Sequence, residues 1–175
     1  MEEKILEIGA RPAIDIIKKE LGIGLIGAEI GVNKGYNATY ICDIIKPKIL
    51  YLIDPWNNFF DSTSGEIIGE VQYIMTKKLL EPFPCCKIIR DTSYNAVKTF
   101  DNESLDFVYI DADHSYNAVL SDMARWYPKI KKGGILAGHD FTTLSVGEAV
   151  KLFCQKARIE KLYTQNEDWW FYKKE

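Results

Sequence analysis

LIGAEIGVNKGYNATYICDIIKPKILYLID, residues 25–54, divides into an apolar run, a glycine-bearing loop, a helical stretch and a second apolar run. LIGAEI (25–30) reads as a strand, GYNATYICDII (35–45) as a helix and KILYLID (48–54) as a second strand. A chain that leaves a strand and enters a helix through glycines makes room for a ligand, and Gly31 and Gly35 mark that passage. Glu29 places a carboxylate two positions before the first of them.

The pattern continues downstream. GEIIGEVQYIMTKKLL (65–80) reads as a long amphipathic helix, CKIIR (86–90) as a third strand and SYNAVKTF (93–100) as a helix. LDFVYID (105–111) is a fourth strand, SYNAVLSDMARWYPKI (115–130) a helix weakening at Pro128, and GGILAGHD (133–140) a fifth strand. Ser145 and Glu148 have the spacing of a capping box and are expected to open the next helix. RIEKLYT (158–164) and DWWFYKK (168–174) then read as a hairpin. Upstream, Ile5, Ile8, Ile14, Ile17 and Leu21 form a helical stripe interrupted near Gly9 and Pro12.

The strands lack clean alternation, as expected where helices cover both faces of a sheet. The fold class is therefore α/β: a Rossmann-like seven-stranded sheet, mostly parallel with a C-terminal antiparallel hairpin. Residues 1–175 are expected to form one domain, with 1–21 a helical cap and 22–175 the core. Trp169 and Trp170 are neighbours on a strand, so only one is expected to face the core. The other is assigned either to an interface or to packing under the N-terminal helix.

Composition narrows the function. The 175 residues carry a formal net charge of −3 without a basic tract, which argues against a nucleic-acid partner. The apolar runs are shorter than a membrane span, and the acidic MEEKILEIGA does not resemble a signal peptide. Cys42, Cys85, Cys86 and Cys154 form no CxxC pair, and adjacent Cys85 and Cys86 are expected on opposite faces of a strand. They read as buried thiols of a reducing compartment, and the chain as cytoplasmic.

Ligands of such sheets sit at the carboxyl ends of the strands, where strand order reverses. The loop lacks the G-x-G-x-x-G that cradles a pyrophosphate, and Glu29 would repel phosphate while favouring a cation. Asp54 ends the next strand, where a carboxylate can accept from both hydroxyls of a ribose. A ligand with a ribose, an amino group and no phosphate satisfies both features, and S-adenosylmethionine is one. E-x-G-x-x-x-G followed by an acidic residue ending the next strand resembles the class I methyltransferases that use this cofactor, over nearly the whole chain. The resemblance implies that Glu29, Gly31 and Gly35 shape the methionine side and Asp54 holds the ribose. It places Asp91 and Thr92 near the adenine amine. Trp56, Phe59 and Phe60 are read either as core contacts of a folded-back loop or as an aromatic lid.

YIDADHSY (109–116) and AGHDF (137–141) both follow strands, so Asp111, Asp113, His114, His139 and Asp140 are expected to converge beside the transferable methyl. Methyl transfer depends on in-line positioning, and a hydroxyl acceptor must lose its proton to a base or to a metal. I-D-x-D-H-x-Y and G-G-x-L-x-x-H-D resemble a bacterial subgroup of small class I methyltransferases. More distantly, they resemble magnesium-dependent O-methyltransferases of macrolide and aminocoumarin sugars. That resemblance makes Asp111 and Asp140 metal-binding carboxylates, with Asp111 also on the cofactor side, and Asp113 a general base. His139 stands where those sugar enzymes have a carboxylate. It is read either as a third ligand, favouring a transition metal over magnesium, or as the base. His114 is carried as a further catalytic candidate.

The expected function is S-adenosylmethionine-dependent O-methylation of a small hydroxylated or sugar-containing acceptor. A dinucleotide-dependent oxidoreductase and a non-catalytic adenosylmethionine-binding module are the alternatives. Residues 1–20, 55–64 and 141–145 are available to shape the acceptor pocket, and a second subunit, giving a homodimer, is expected to complete its wall.

Overall fold

Strands that are apolar on both faces require two cores, and the computed structural model, which describes residues 9–57, 59–61 and 66–174, contains them. The chain runs through α1 (Pro12–Leu21), β1 (Ile26–Ile30), α2 (Tyr36–Ile45), β2 (Ile49–Ile53), β3 (Phe59–Asp61), β4 (Glu66–Ile68) and α3 (Glu70–Leu80). It continues through β5 (Cys86–Ile89), α4 (Ser93–Ala96), β6 (Leu105–Ile110), α5 (Tyr116–Trp126) and β7 (Ile130–Gly138). The last elements are α6 (Leu144–Lys156), β8 (Tyr163–Gln165) and β9 (Asp168–Tyr172).

Seven strands form one sheet in the order β5-β2-β1-β6-β7-β9-β8. The first five are parallel, and β9 is antiparallel to both β7 and β8. The mostly parallel sheet with a terminal antiparallel hairpin is the expected plan. Strand order reverses between β1 and β6, which opens the ligand crevice at their carboxyl ends.

The pleat divides each strand between the two cores. Phe107 and Tyr109 of β6 join Ile14 and Ile17 of α1 and Ile41 and Ile45 of α2 on one face. Val108 and Ile110 join Met123 and Trp126 of α5 and Val150 of α6 on the other. Trp169 and Trp170 follow the same rule, and both are buried. They point to opposite faces as expected, and because β9 lies inside the sheet the second tryptophan takes the alternative of packing under the N-terminal helix. Trp170 packs in the cluster that contains α1, and Trp169 in the opposite one.

Three expectations are corrected. Residues 65–80 are not one helix: Glu66–Ile68 pairs antiparallel with Phe59–Asp61, inside the stretch read as a loop, and the helix begins at Glu70. Gly69, extended at φ −166°, makes the break, and its N–H donates to Gln72 Oε1 at 2.9 Å to start α3. The capping box at Ser145 does not form, since α6 begins at Leu144 after Thr143 and Ser145 Oγ donates instead to the His114 carbonyl at 2.7 Å. Cys85 and Cys86 do not diverge. Cys85 sits in the turn before β5, and both sulfurs approach Cys42, at 3.8 and 3.5 Å. The stripe positions Ile5 and Ile8 lie outside the described residues, as do the side chains of Phe59 and Phe60.

α1 is fixed from across the sheet. Asp168 accepts from the Ala13 N–H at 2.9 Å and from the Tyr109 hydroxyl at 2.7 Å. Burial pushes the Asp168 carboxyl up to about 6 against those two bonds. The residue before the helix, Arg11, is thereby held at the carboxyl edge of the sheet. No helix among the described residues is long and apolar enough to cross a membrane.

Candidate functional site

Each strand at the switch point runs on past its last paired residue. Gly31 N–H donates to the Ile53 carbonyl at 2.9 Å, Asp111 N–H to Ile30 at 2.8 Å and His139 N–H to Ile110 at 3.1 Å. Asp54 N–H donates to Ile89 at 3.3 Å. These bonds set Gly31, Asp54, Asp111 and His139 side by side along the sheet's carboxyl edge.

The glycines do unlike work. Gly31 has φ +85°, and a Cβ there would lie 2.0 Å from the Asp111 carbonyl oxygen, so the loops after β1 and β6 pack backbone to backbone. Gly35, at φ +81°, precedes α2, and a Cβ there would lie 3.0 Å from Thr76 Cγ2. Glu29 is 1% exposed, and its Oε1 accepts from Asn37 Nδ2 at 2.9 Å. Among the described residues its Oε2 is buried without a partner. Burial pushes the Glu29 carboxyl well above the usual range despite the Asn37 bond. A buried carboxyl oxygen left unpaired beside a glycine loop fits a ligand that brings a positive charge and favours the ionised carboxylate.

Asp54 is more occupied than its place suggests. Oδ2 accepts from the Val32 and Asn33 N–H groups at 2.9 and 3.0 Å, and Oδ1 from Trp56 N–H at 2.9 Å. A carboxylate offers about four acceptor directions, so a grip on two hydroxyls requires one of these bonds to open. Trp56 resolves toward the core reading: it is fully buried, donates to the Asn33 carbonyl at 2.9 Å and packs on Tyr73 at 5.2 Å. Asp91 accepts from Thr92 N–H at 2.7 Å and Asn95 Nδ2 at 3.1 Å, and Thr92 caps α4. Both bonds hold the Asp91 carboxyl below its ordinary value.

The acidic cluster converges. Ligand atoms of Asp111, His139 and Asp140 lie within 4.8 Å of one another. Asp140 takes a left-handed backbone at φ +59°, which an aspartate tolerates. Arg11 enters from α1: Nη1 lies 2.6 Å from His139 Nε2, and Nη2 lies 3.8 Å from Asp111 Oδ2. A guanidinium has no acceptor, so His139 Nε2 offers its lone pair to Arg11 and Nδ1 carries the proton. Nδ1 lies 3.1 Å from Asp140 Oδ2. Three donors so close invite a divalent ion, but in this arrangement His139 has no lone pair left for one. With Arg11 on His139, the Asp111 and Asp140 carboxylates are the groups that would hold such an ion, and no chemical step is routed through a metal.

His114 Nε2 lies 3.5 Å from Asp111 Oδ1 and 3.1 Å from Asp140 Oδ2, though neither oxygen lies along its N–H direction. Asp111 and then Asp140 raise the imidazole to about 10 against the opposing effect of burial. Burial would raise Asp140, but His114 and His139 outweigh it and hold that carboxyl far below its ordinary value. The two carboxylates thereby favour the imidazolium form of His114. A histidine raised in the folded state stabilises fully below its unfolded value near 6.5 and loses that contribution as pH rises toward 10. His114→Gln is expected to cost about 1–3 kcal/mol at pH 6, after discounting partial exposure, and progressively less toward pH 10. Urea unfolding of both proteins across that range checks it; a difference that grows with pH would contradict it.

Asp113 lines the same cleft as Asp111, His114 and His139, at its exposed rim. Its Oδ1 accepts from the Ser115 N–H at 2.8 Å, turning the chain into α5. Two residues escaped the sequence reading. Arg11 lies 128 residues from His139 in the chain, and Asn37 is one polar residue in a helix. Only the three-dimensional fold pairs either with its carboxylate or imidazole.

A family model described as a methyltransferase domain matches residues 28–141. Among curated proteins, uncharacterized protein y4gI of Sinorhizobium fredii is 22% identical over 116 residues, 64% of this chain and 12% of that protein's length. The O-methyltransferase NovP superposes with a TM-score of 0.75 at 14% identity, over 94% of this chain and 79% of its own. The MycE methyltransferase of the mycinamycin biosynthetic pathway, in complex with Mg and SAH, gives 0.63 at 14% identity over 93% and 49%. An S-adenosylmethionine-dependent methyltransferase from Mesorhizobium loti gives 0.52 at 15% identity over 73% and 50%. At these identities the structural likenesses speak to the fold.

Proposed function

Because this chain belongs to the methyltransferase-domain family, we propose that it moves the methyl group of S-adenosylmethionine to a hydroxyl oxygen of a small hydroxylated or sugar-containing acceptor. One observation carries the cofactor reading: the Oε2 of Glu29, buried and unpartnered among the described residues, beside the Gly31–Gly35 loop. An ammonium supplied by the methionine end gives that atom its missing partner and favours the ionised carboxylate. Asp54, on the neighbouring strand, keeps one acceptor direction for a ribose hydroxyl without disturbing its backbone bonds. Asp91 and Thr92 stand after β5, where the adenine end would reach.

When bound, the cofactor supplies an electrophilic methyl on a sulfonium. The protein's part is to orient the acceptor oxygen in line and to take its proton. His114 cannot accept that proton while it is an imidazolium, and His139 has given its lone pair to Arg11. Asp113 remains, exposed at the rim with an oxygen outside the Ser115 bond. Asp111 and Asp140 bring two negative charges, and Arg11 and His114 two positive ones. The cluster sums to zero and does not repel a sulfonium.

Asp113→Asn is expected to leave S-adenosylhomocysteine affinity unchanged and to lower turnover by about 10²–10⁴-fold. Radiolabelled methyl transfer to pooled hydroxylated metabolites, beside calorimetric binding, reads both quantities. Wild-type turnover in the variant would remove Asp113 from the chemistry. Since Arg11 and His114 already balance the carboxylates, chelation with EDTA is expected to leave turnover unchanged. Loss of activity restored by magnesium or manganese would overturn the metal-free arrangement.

A further inference from the structure

The sheet carries a second cluster of chemically competent side chains, at the edge away from the site described above. Cys42 lies in the last turn of α2, Cys85 in the turn before β5, and Cys86 is the first residue of β5. Cys42 Sγ is 3.8 Å from Cys85 Sγ and 3.5 Å from Cys86 Sγ, and all three sulfurs lie within 4.8 Å of one another. Backbone bonds hold this geometry. Cys86 N–H donates to the Phe83 carbonyl at 3.0 Å, and the Cys85 carbonyl accepts from Leu50 N–H at 3.0 Å. Cys86 pairs with Leu50 at the amino ends of the strands, about 10 Å from the carboxyl edge at roughly 3.3 Å per residue.

We propose that Cys42, Cys85 and Cys86 form a binding site for one soft d¹⁰ metal ion, Cu(I) in three-thiolate coordination. Three sulfurs around one ion at bonds of about 2.3 Å stand roughly 4.0 Å apart when the ion lies in their plane. The two measured separations, 3.5 and 3.8 Å, need to open by only a few tenths of an ångström. A disulfide, with sulfurs about 2.05 Å apart, demands a contraction several times larger and leaves the third thiol unused. No histidine, aspartate or glutamate joins this group among the described residues, so the donor set is sulfur alone. Three thiolates alone complete the coordination of Cu(I), whereas zinc would need a water to complete its four-coordinate shell. Cys42 is 4% exposed and belongs to the hydrophobic cluster that contains Ile45, Leu50 and Leu80, while Cys85 and Cys86 are half-buried. That combination gives an apolar floor and an open side for entry. Binding releases the thiol protons to solvent and changes no oxidation state.

The test uses the full chain, reduced and metal-free, titrated anaerobically with Cu(I) against a chromogenic Cu(I) chelator. One equivalent per chain is expected, with an ultraviolet thiolate-to-copper band and a raised Tm. Cys42→Ser is expected to weaken binding by at least about a hundredfold. Cys154→Ser, whose thiol lies in the opposite core, is expected to bind as wild type. Should Cys42→Ser fail to fold, Cys85→Ser at the half-buried turn gives the same readout. Absence of Cu(I) binding, copper held equally well by both Cys42→Ser and Cys85→Ser, or zinc bound more tightly than Cu(I) would overturn the assignment.

Discussion

Glu29→Gln is expected to make the ligand-free protein more stable while weakening S-adenosylhomocysteine binding severely. The carboxyl is 1% exposed, and among the described residues only one of its oxygens has a partner. Burial raises it well above the ordinary range, so the folded chain holds a proton there at a pH where the unfolded chain has released it. By linkage, that group makes stability fall as pH rises above the unfolded value. The amide keeps the shape and the Asn37 contact and is neutral without taking up a proton. A gain of about 1–3 kcal/mol is expected near pH 8, shrinking toward pH 4. The same amide cannot answer an ammonium with a charge, so binding is expected to weaken by about 2–5 kcal/mol. Urea unfolding and calorimetry on one preparation read the two effects with opposite signs. A variant both less stable and fully able to bind would leave Glu29 a structural residue. Stability lost to a site group in exchange for function is a common feature of active sites.

Gly31→Ala is expected to produce the largest loss of stability of any single methyl addition in the loop, above about 4 kcal/mol. The added carbon meets backbone, 2.0 Å from the Asp111 oxygen and 2.6 Å from Ala112 Cα, which cannot rotate away as a side chain can. The left-handed φ of +85° adds its own strain. Gly35→Ala is the control. Its φ is similar at +81°, but the nearest atom is the Thr76 methyl at 3.0 Å, and about 1–2 kcal/mol is expected. Thermal melts of the two variants separate the cases, and equal losses would show that strain rather than packing governs the loop.

Elements set by local pattern were legible in the sequence. β1, α2 and β2 were read close to their bounds, because strand–glycine–helix punctuation is written in neighbouring residues. The short hairpin of β3 and β4 was not: EII continues into helix-forming residues, and only pairing with Phe59–Asp61 makes it a strand. α3 also misleads, since it buries Gln72 and Thr76 while Val71 and Ile74 are exposed. At the site, the convergence of Asp111, His139 and Asp140 follows from strand ends alone and was foreseen. What each atom is bonded to was not. Arg11 reaches His139 because Asp168 fixes the start of α1, a contact between the two ends of the chain. Asp54 accepts three backbone N–H groups, a property of loop shape that residue type does not carry. The three-cysteine cluster was missed for the same reason, since the turn at Cys85 brings neighbours in sequence onto one side.

The most direct measurement of the central reading is calorimetric titration of the purified chain with S-adenosylhomocysteine and, separately, with NAD. One S-adenosylhomocysteine is expected to bind per chain, with no heat from NAD. Binding of NAD in a chain that ignores S-adenosylhomocysteine would contradict the assignment of the Glu29 and Asp54 strand tips to a phosphate-free sulfonium nucleoside.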